Sequence, residues 1–251
     1  MLRADPRNDR AQALAERLTP LLTGVALPPD LQLVLGGDGF LLASIRAGGP
    51  EPLYMGLNAG RVGFMLNDVP PAELEGLVER LATSAWSELR VPRLQVQAQT
   101  VDGNPLTDVA LNDVYLERST GQTAQLRVQV DGVQVVERVV CDGLIISTAL
   151  GSTAYAFSAG NAACHPRLRL MQLTAICPHA PKMAPLNLPH EATVTVESLF
   201  PARRPTRLVC DGFDHPDVAR IQVSDAASDV RLAFLDGHDL TATLVRKILL
   251  P

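Results

Sequence analysis

Residues 31–45 constrain the fold more than any other stretch of the chain. An apolar run, Leu31-Gln32-Leu33-Val34-Leu35, meets Gly36-Gly37-Asp38-Gly39, and Phe40-Leu41-Leu42-Ala43-Ser44-Ile45 follows. The order predicts a strand, a tight turn and a helix opening over Phe40–Arg46. Glycines in such a turn let backbone N–H groups approach a phosphate closely, and the helix N-terminus behind them favours an anion. A carboxylate in the same turn repels that anion, so Asp38 needs a further task. The one the chemistry supplies is accepting a proton from a hydroxyl about to be phosphorylated. The same four residues also fit a plain strand-to-helix turn with a solvated aspartate.

The surrounding segments repeat the alternation. Asp9–Leu22 has helical spacing and ends near Gly24, Pro52–Leu57 reads as the next strand, and Pro70–Ser84 is an amphipathic helix with proline at its first turn. Strands alternating with helices mark a parallel sheet that binds ligands at the strand C-terminal ends. After Trp86 the texture changes. Leu94–Ala98 alternates, and so does Gln125–Val130, followed by Asp131-Gly132 and Val133–Val140, a hairpin signature. Ala192–Ser198, Arg207–Cys210, Ala219–Val223 and Val230–Phe234 also read as strands. Asp239–Leu249 fits either a strand or a short helix that returns to the front part. The expected division is residues 1–90 with about 239–251 as an α/β unit, and 91–238 as a β-rich unit.

Three further segments carry polar groups at strand ends. Gly56-Leu57-Asn58-Ala59-Gly60-Arg61-Val62-Gly63-Phe64 follows a strand, and its Arg61 is long enough to reach a phosphate. Asp142-Gly143-Leu144-Ile145-Ile146-Ser147-Thr148-Ala149-Leu150-Gly151-Ser152-Thr153-Ala154-Tyr155 is a short apolar strand ending in a turn rich in hydroxyls, with a helix from Thr153 through Ala159. Tyr155 offers a face for a base and a phenol for a hydrogen bond. Asn112-Asp113 interrupts the apolar Val109–Leu116, and suits either a bulge or turn, or hydrogen bonds to a ribose or base.

The net charge of −5 argues against general binding to nucleic acid or a membrane surface, and no apolar run approaches the ~20 residues of a membrane span. The only lysines, Lys182 and Lys247, lie away from the glycine-rich loops. Met1–Pro6 has no hydrophobic signal core. Cys141, Cys164, Cys177 and Cys210 are widely spaced, which suits a reduced, cytosolic setting, and neither Cys164-His165 nor Cys177-Pro178-His179 matches a zinc spacing, so no metal site is expected from the sequence. A G-x-x-x-x-G-K-[ST] loop, a G-x-G-x-x-G turn, the protein-kinase H-R-D and D-F-G set, a G-x-S-x-G elbow and H-E-x-x-H are all missing from the sequence.

Taken together, the chain resembles the NAD kinase family. The resemblance rests on GGDG at 36–39, G-x-N-x-G-x-V-G-F at 56–64, A-L-N-D at 110–113, D-G-L-I-I-S-T-x-x-G-S-T-A-Y at 142–155 and L-T-x-I-C-P-H at 173–179, in family order. GGDG alone is shared with lipid kinases of the diacylglycerol and sphingosine type; the 142–155 segment is specific. The resemblance implies an α/β, Rossmann-like N-terminal domain with a parallel sheet plus a β-rich C-terminal domain. It also implies phosphorylation of the adenosine-ribose 2′-hydroxyl of NAD by ATP or polyphosphate with Mg²⁺, in a homodimer or homotetramer whose neighbouring subunit helps build the site. Asp38 would be the general base. Gly36, Gly37, Gly39, Asn58, Gly60 and Arg61 would hold donor phosphates, and Phe64 would wall the adenine pocket. Asn112 and Asp113 would bind the ribose and base region, Asp142 the nicotinamide side, and Thr153, Ala154, Tyr155 and Ser158 the adenine and ribose.

Departures from the family pattern are Ala59 where arginine is common, Leu150 where threonine is common, and Asn161-Ala162 in place of Gly-Pro. Only Met1–Pro6 is available for the strand that usually precedes the first helix. The other readings these residues allow are an NAD(P)-binding sensor without catalysis, and a soluble lipid-type kinase sharing GGDG.

Overall fold

The computed structural model describes residues 1–60 and 63–249, the side chains of residues 71, 247 and 249 excepted. The chain divides into two compact units, Met1–Val91 with Asp229–Pro251, and Pro92–Ser228.

The first unit runs β1 (Leu2–Ala4), α1 (Asp9–Leu21), β2 (Leu31–Gly36), α2 (Asp38–Gly48), β3 (Leu53–Asn58), β4 (Leu66–Asn67), α3 (Leu74–Ala82) and β5 (Trp86–Val91). The second runs β6 (Leu94–Thr100), β7 (Pro105–Ala110), β8 (Asp113–Arg118), β9 (Ala124–Val130), β10 (Val133–Cys141), β11 (Gly143–Thr148), the single turn α4 (Tyr155–Ser158), β12 (Leu170–Ile176), β13 (Leu186–Pro189), β14 (Val194–Ser198), β15 (Thr206–Cys210), β16 (Phe213–His215) and β17 (Val218–Asp225). The chain then returns to the first unit with β18 (Val230–Leu235) and α5 (Leu240–Leu249).

The first sheet has the order β1-β2-β3-β18-β5 with β4 beside β3; β5 alone is antiparallel to its neighbour. Leu31, Leu33 and Leu35 of β2 share a core with Ala11 and Leu18 of α1 and with Leu74, Leu77 and Leu81 of α3. The alternate face of β2 and β3 takes α2. A Cβ at Gly56 would meet Leu66 Cδ2 at 2.3 Å and Leu41 Cδ2 at 3.1 Å, so glycine there lets α2 and β4 settle on the sheet. The amino-terminal strand forms from Leu2–Ala4, in parallel register with Leu33–Leu35. α1 starts at Asn8, whose side chain accepts from the N–H groups of Arg10 and Ala11.

One expectation is corrected. Val230–Phe234 reads as another strand of the β-rich part, but β18 pairs with β3 and β5 in the middle of the first sheet. Its run Val230–Leu235 is buried at five of six positions, as a strand covered on both faces requires, and local pattern carries no record of which sheet supplies that cover. Asn67 secures the insertion. It is 1% exposed, donates Nδ2 to Gly56 O and Ala233 O at 3.0 and 3.1 Å, and accepts the Leu235 N–H on Oδ1 at 2.8 Å. Asn67→Ala should lower stability by about 2–4 kcal/mol, read from chemical denaturation, because it strands one donor and two acceptors inside the sheet. A loss below about 1 kcal/mol would show that Asn67 merely fills space.

The second unit is two six-stranded antiparallel sheets, β10-β9-β14-β17-β6-β7 and β13-β12-β11-β8-β15-β16, burying one common core. The expected hairpin turns at Asp131-Gly132, both at positive φ (50° and 77°), the conformation a two-residue hairpin turn needs. Val109–Leu116 is not one strand. It breaks at Leu111-Asn112, where the chain leaves β7 in one sheet and enters β8 in the other.

Candidate functional site

In the first unit, GGDG lies at the C-terminal end of β2 and opens α2. Gly37 is the N-cap residue and Asp38 the first helical residue. The neighbouring strand β3 ends in register, Gly36 against Asn58, and Ala59 donates its N–H to Gly36 O at 3.0 Å, so the two glycine-rich loops run side by side. The Asp38 carboxylate accepts the N–H of Phe64 at 2.7 Å and of Met65 at 3.1 Å. A Cβ on Gly63 would meet Leu66 at 2.4 Å and Asp38 Oδ1 at 3.1 Å, so only glycine lets this loop close over the carboxylate. Asn58 shapes the loop from within, accepting from Gly60 N–H at 2.8 Å and donating to Asp68 at 2.6 Å. Gly39 is exposed and Gly37 partly so. Arg61 lies outside the described residues.

The second unit gathers the other predicted residues around the β7–β8 break. Thr148 at the end of β11 donates Oγ1 to Leu111 O at 2.7 Å and accepts from Gly151 N–H at 3.1 Å. A Cβ on Gly151 would lie 2.0 Å from Asn112 O, so this glycine exists for close backbone approach. Asn112 Oδ1 is buried and has no hydrogen-bond partner among the described residues, an acceptor available to a ligand hydroxyl or amide. Asp113, 5% exposed, accepts the backbone N–H of Tyr155. Tyr155 packs edge-on against Tyr115, ring centroids 5.1 Å apart, over Ile145 and Ile176. Thr153 Oγ1 turns back to Leu150 O at 3.3 Å, Ala154 donates its N–H to Gly151 O at 2.9 Å, and Ser158 is exposed. Asp142 pairs with Arg118 Nε at 2.7 Å at the other end of β11.

Sequence reading missed Asp211, which builds this corner. It follows β15 at φ +49°, and its carboxylate accepts three consecutive N–H groups, from Leu111 at 2.6 Å, Asn112 at 2.8 Å and Asp113 at 3.2 Å. The signal available was the Asp211-Gly212 pair after a strand, a turn dipeptide. The departures also find places. Leu150 is buried at 5% exposure, and Asn161, at 6%, donates to Thr174 Oγ1 at 2.6 Å and so ties its loop to β12.

Burial first, and the Asp211 charge second, push the Asp113 carboxyl from 3.8 up to about 7, against the pull of the Tyr155 N–H. The unfolded aspartate gives up its proton near pH 4, so between about pH 4 and 7 the folded chain binds more protons, and this residue's contribution to stability declines as pH rises through that window. Asp113→Asn should therefore gain melting temperature relative to the parent from pH 5 to pH 8. A difference that stays constant over that range would refute the shift.

A carboxylate presented between two glycine-rich loops of a parallel sheet, on one chain with a β-rich unit holding a polar corner beside two tyrosines, defines the class of nucleotide-dependent kinases. Residues 111–232 match the family model of the ATP-NAD kinase C-terminal domain. The chain is 34% identical over 222 residues to an NAD kinase of Hyphomonas neptunium (87% of this chain, 85% of that one). It is 36% identical over 225 residues to one of Cereibacter sphaeroides (87% and 86%). The fold superposes on yeast NADH kinase complexed with NADH at a TM-score of 0.84, with 22% identity, covering 99% of this chain and 86% of that one. It superposes on an Archaeoglobus fulgidus NAD kinase in complex with ATP at 0.76, with 24% identity, covering 98% and 97%. The chain belongs to the NAD kinase family. No helix among the described residues is long and apolar enough to cross a membrane.

Proposed function

We propose that this protein phosphorylates the 2′-hydroxyl of the adenosine ribose of NAD to give NADP, with ATP or polyphosphate as donor and Mg²⁺ as the accompanying cation. The observation that carries the reading is Asp38, held by the N–H groups of Phe64 and Met65 at the mouth of the glycine-rich turn. Phosphoryl transfer asks a protein mainly for positioning and charge stabilisation. Asp38 orients the acceptor hydroxyl and takes its proton as the bond to phosphorus forms. The N–H groups at Gly36, Gly37 and Gly39 and at the start of α2 favour the donor's phosphates, joined by the 58–63 loop. Phe64 bounds the adenine side.

Asn112 and Asp113 receive the ribose and base, the first through its unpartnered Oδ1, the second as a buried carboxyl. Tyr155 stacks on the adenine; Thr153, Ala154 and Ser158 line the same pocket, and Asp142 serves the nicotinamide side. In this reading the cation is carried chiefly by donor phosphates and water. Mg²⁺ bound there would neutralise charge on the transferring group. The working unit in this reading is a cytoplasmic homodimer or homotetramer.

The test is purified protein with NAD, Mg²⁺ and either ATP or polyphosphate, with NADP read by a coupled NADP-specific dehydrogenase. NADP in either sample supports the reading and names the donor. NAD binding by calorimetry with no NADP in both samples would replace it with a non-catalytic NAD sensor.

A further inference from the structure

Three residues that no sequence spacing links meet at the edge of the second unit. Asp108 lies on β7, Cys210 ends β15 and His215 ends β16. β15 and β16 form a hairpin that pairs Cys210 with Phe213 and Leu208 with His215, so Cys210 and His215 share the face of the hairpin that carries Leu208. Each of the three side chains offers one ligand atom, and these atoms all lie within 4.8 Å of one another. His215 Nε2 is 2.6 Å from Asp108 Oδ2. Cys210 is fully buried, the Asp108 side chain is 6% exposed and the His215 side chain 24%.

We propose that Asp108, Cys210 and His215 form a structural site for Zn²⁺ or a divalent ion of similar softness. One thiolate, one imidazole and one carboxylate are the donor types zinc takes, and its bonds of ~2.0–2.3 Å in tetrahedral array set ligand atoms roughly 3.4–3.6 Å apart. The cluster reaches that spacing through small side-chain shifts, with the Asp108–His215 pair opening by about 1 Å. Charge favours the same occupant. A carboxylate and a thiolate cancel the two charges of the ion, and the imidazole binds neutral, so the filled site is neutral where it is buried. The Cys210 thiol proton, with any proton held by the Asp108–His215 pair, passes to solvent as the ion binds. Of the three side chains His215, at 24%, is the most exposed to solvent, and a water would complete the ion's four ligands.

The ion would tie β7 to the β15–β16 hairpin. That hairpin turns at Asp211-Gly212, whose Asp211 carries the N–H groups of residues 111–113, so the ion braces the polar corner without touching a ligand. The opposing account is an Asp–His hydrogen bond beside a core thiol.

Cobalt separates the two, because a thiolate bound to Co²⁺ gives a charge-transfer absorption that imidazole and carboxylate alone do not. The full-length protein, stripped with EDTA, is titrated with Co²⁺ and then with Zn²⁺. The expected result is one Co²⁺ per chain with thiolate absorption, its displacement by Zn²⁺, and a rise of a few degrees in melting temperature with Zn²⁺. His215→Gln should abolish all three, as should Cys210→Ser if it folds. Cys164→Ser and Cys177→Ser, which remove the other Cys–His neighbours in sequence, should leave them intact. Absence of thiolate absorption in the parent protein, or its survival in His215→Gln, overturns the proposal.

Discussion

Asp38→Asn should lower NADP formation by about 10²–10⁴-fold while leaving the dissociation constant for NAD within a few-fold of the parent. The expectation follows from two roles that Asp38 combines. As a base it must carry a charge that asparagine lacks. As a brace it accepts two N–H groups, from Phe64 and Met65, on different oxygens. Asparagine keeps one acceptor and turns the other position into a donor facing an N–H, so the loop is disturbed at one bond only. Single-turnover kinetics together with calorimetry for NAD separate the roles. Loss of turnover with binding retained fits the base, and equal losses in both would indicate that the residue chiefly holds the loop. Turnover within tenfold of the parent would rule out general-base catalysis by Asp38.

Asp211→Ala should cost about 3 kcal/mol of stability, and raise the KM for NAD at least tenfold with a smaller change in kcat. The carboxylate serves three successive N–H groups at 2.6–3.2 Å, and each buried donor left without an acceptor costs about 1–3 kcal/mol, partly relieved where water can enter. With no carboxylate to converge on, the Leu111–Asp113 backbone loses the conformation that aims Asn112 and Asp113. Asp211→Asn is the instructive companion. It tolerates φ +49° and retains the oxygen that serves Asn112 and Asp113, so it should restore about half of the lost stability and most of the KM. Denaturant titration and steady-state kinetics on both variants decide the matter. An alanine variant with unchanged KM would show that the corner holds its shape without Asp211.

What could be read ahead of the structure follows the range of the forces involved. The GGDG turn, the amphipathic helix whose Leu74, Leu77 and Leu81 face the core, and the Asp131-Gly132 hairpin are all written in neighbouring residues. The residues of the polar corner could be named because they sit in long, specific motifs. Their arrangement could not be derived, since Asp211 reaches Leu111 across 100 positions and nothing near Asp211 declares its partner. The same limit hid the placement of Val230–Leu235, whose neighbours in the sheet, Leu53–Tyr54 and Trp86–Val91, are far away along the chain. It also explains why Asn67 drew no notice. Its importance lies in Gly56, Ala233 and Leu235, two of which lie more than 160 residues away.

The return of β18 to the first sheet sets an order on synthesis. A ribosome delivers β3 and β5 early, yet the strand that joins them, β18, emerges only after the whole of residues 92–228. Until then two hydrogen-bonding edges of a mostly parallel sheet stay open, and open edges invite pairing with other chains. The β-rich unit has all its strands available first and is free to complete itself while the first unit waits. Chains ending at residue 228 and freed from the ribosome should accordingly contain a protease-resistant second unit and a first unit that depends on chaperones, whereas chains that extend through β18 close the sheet in a single late step.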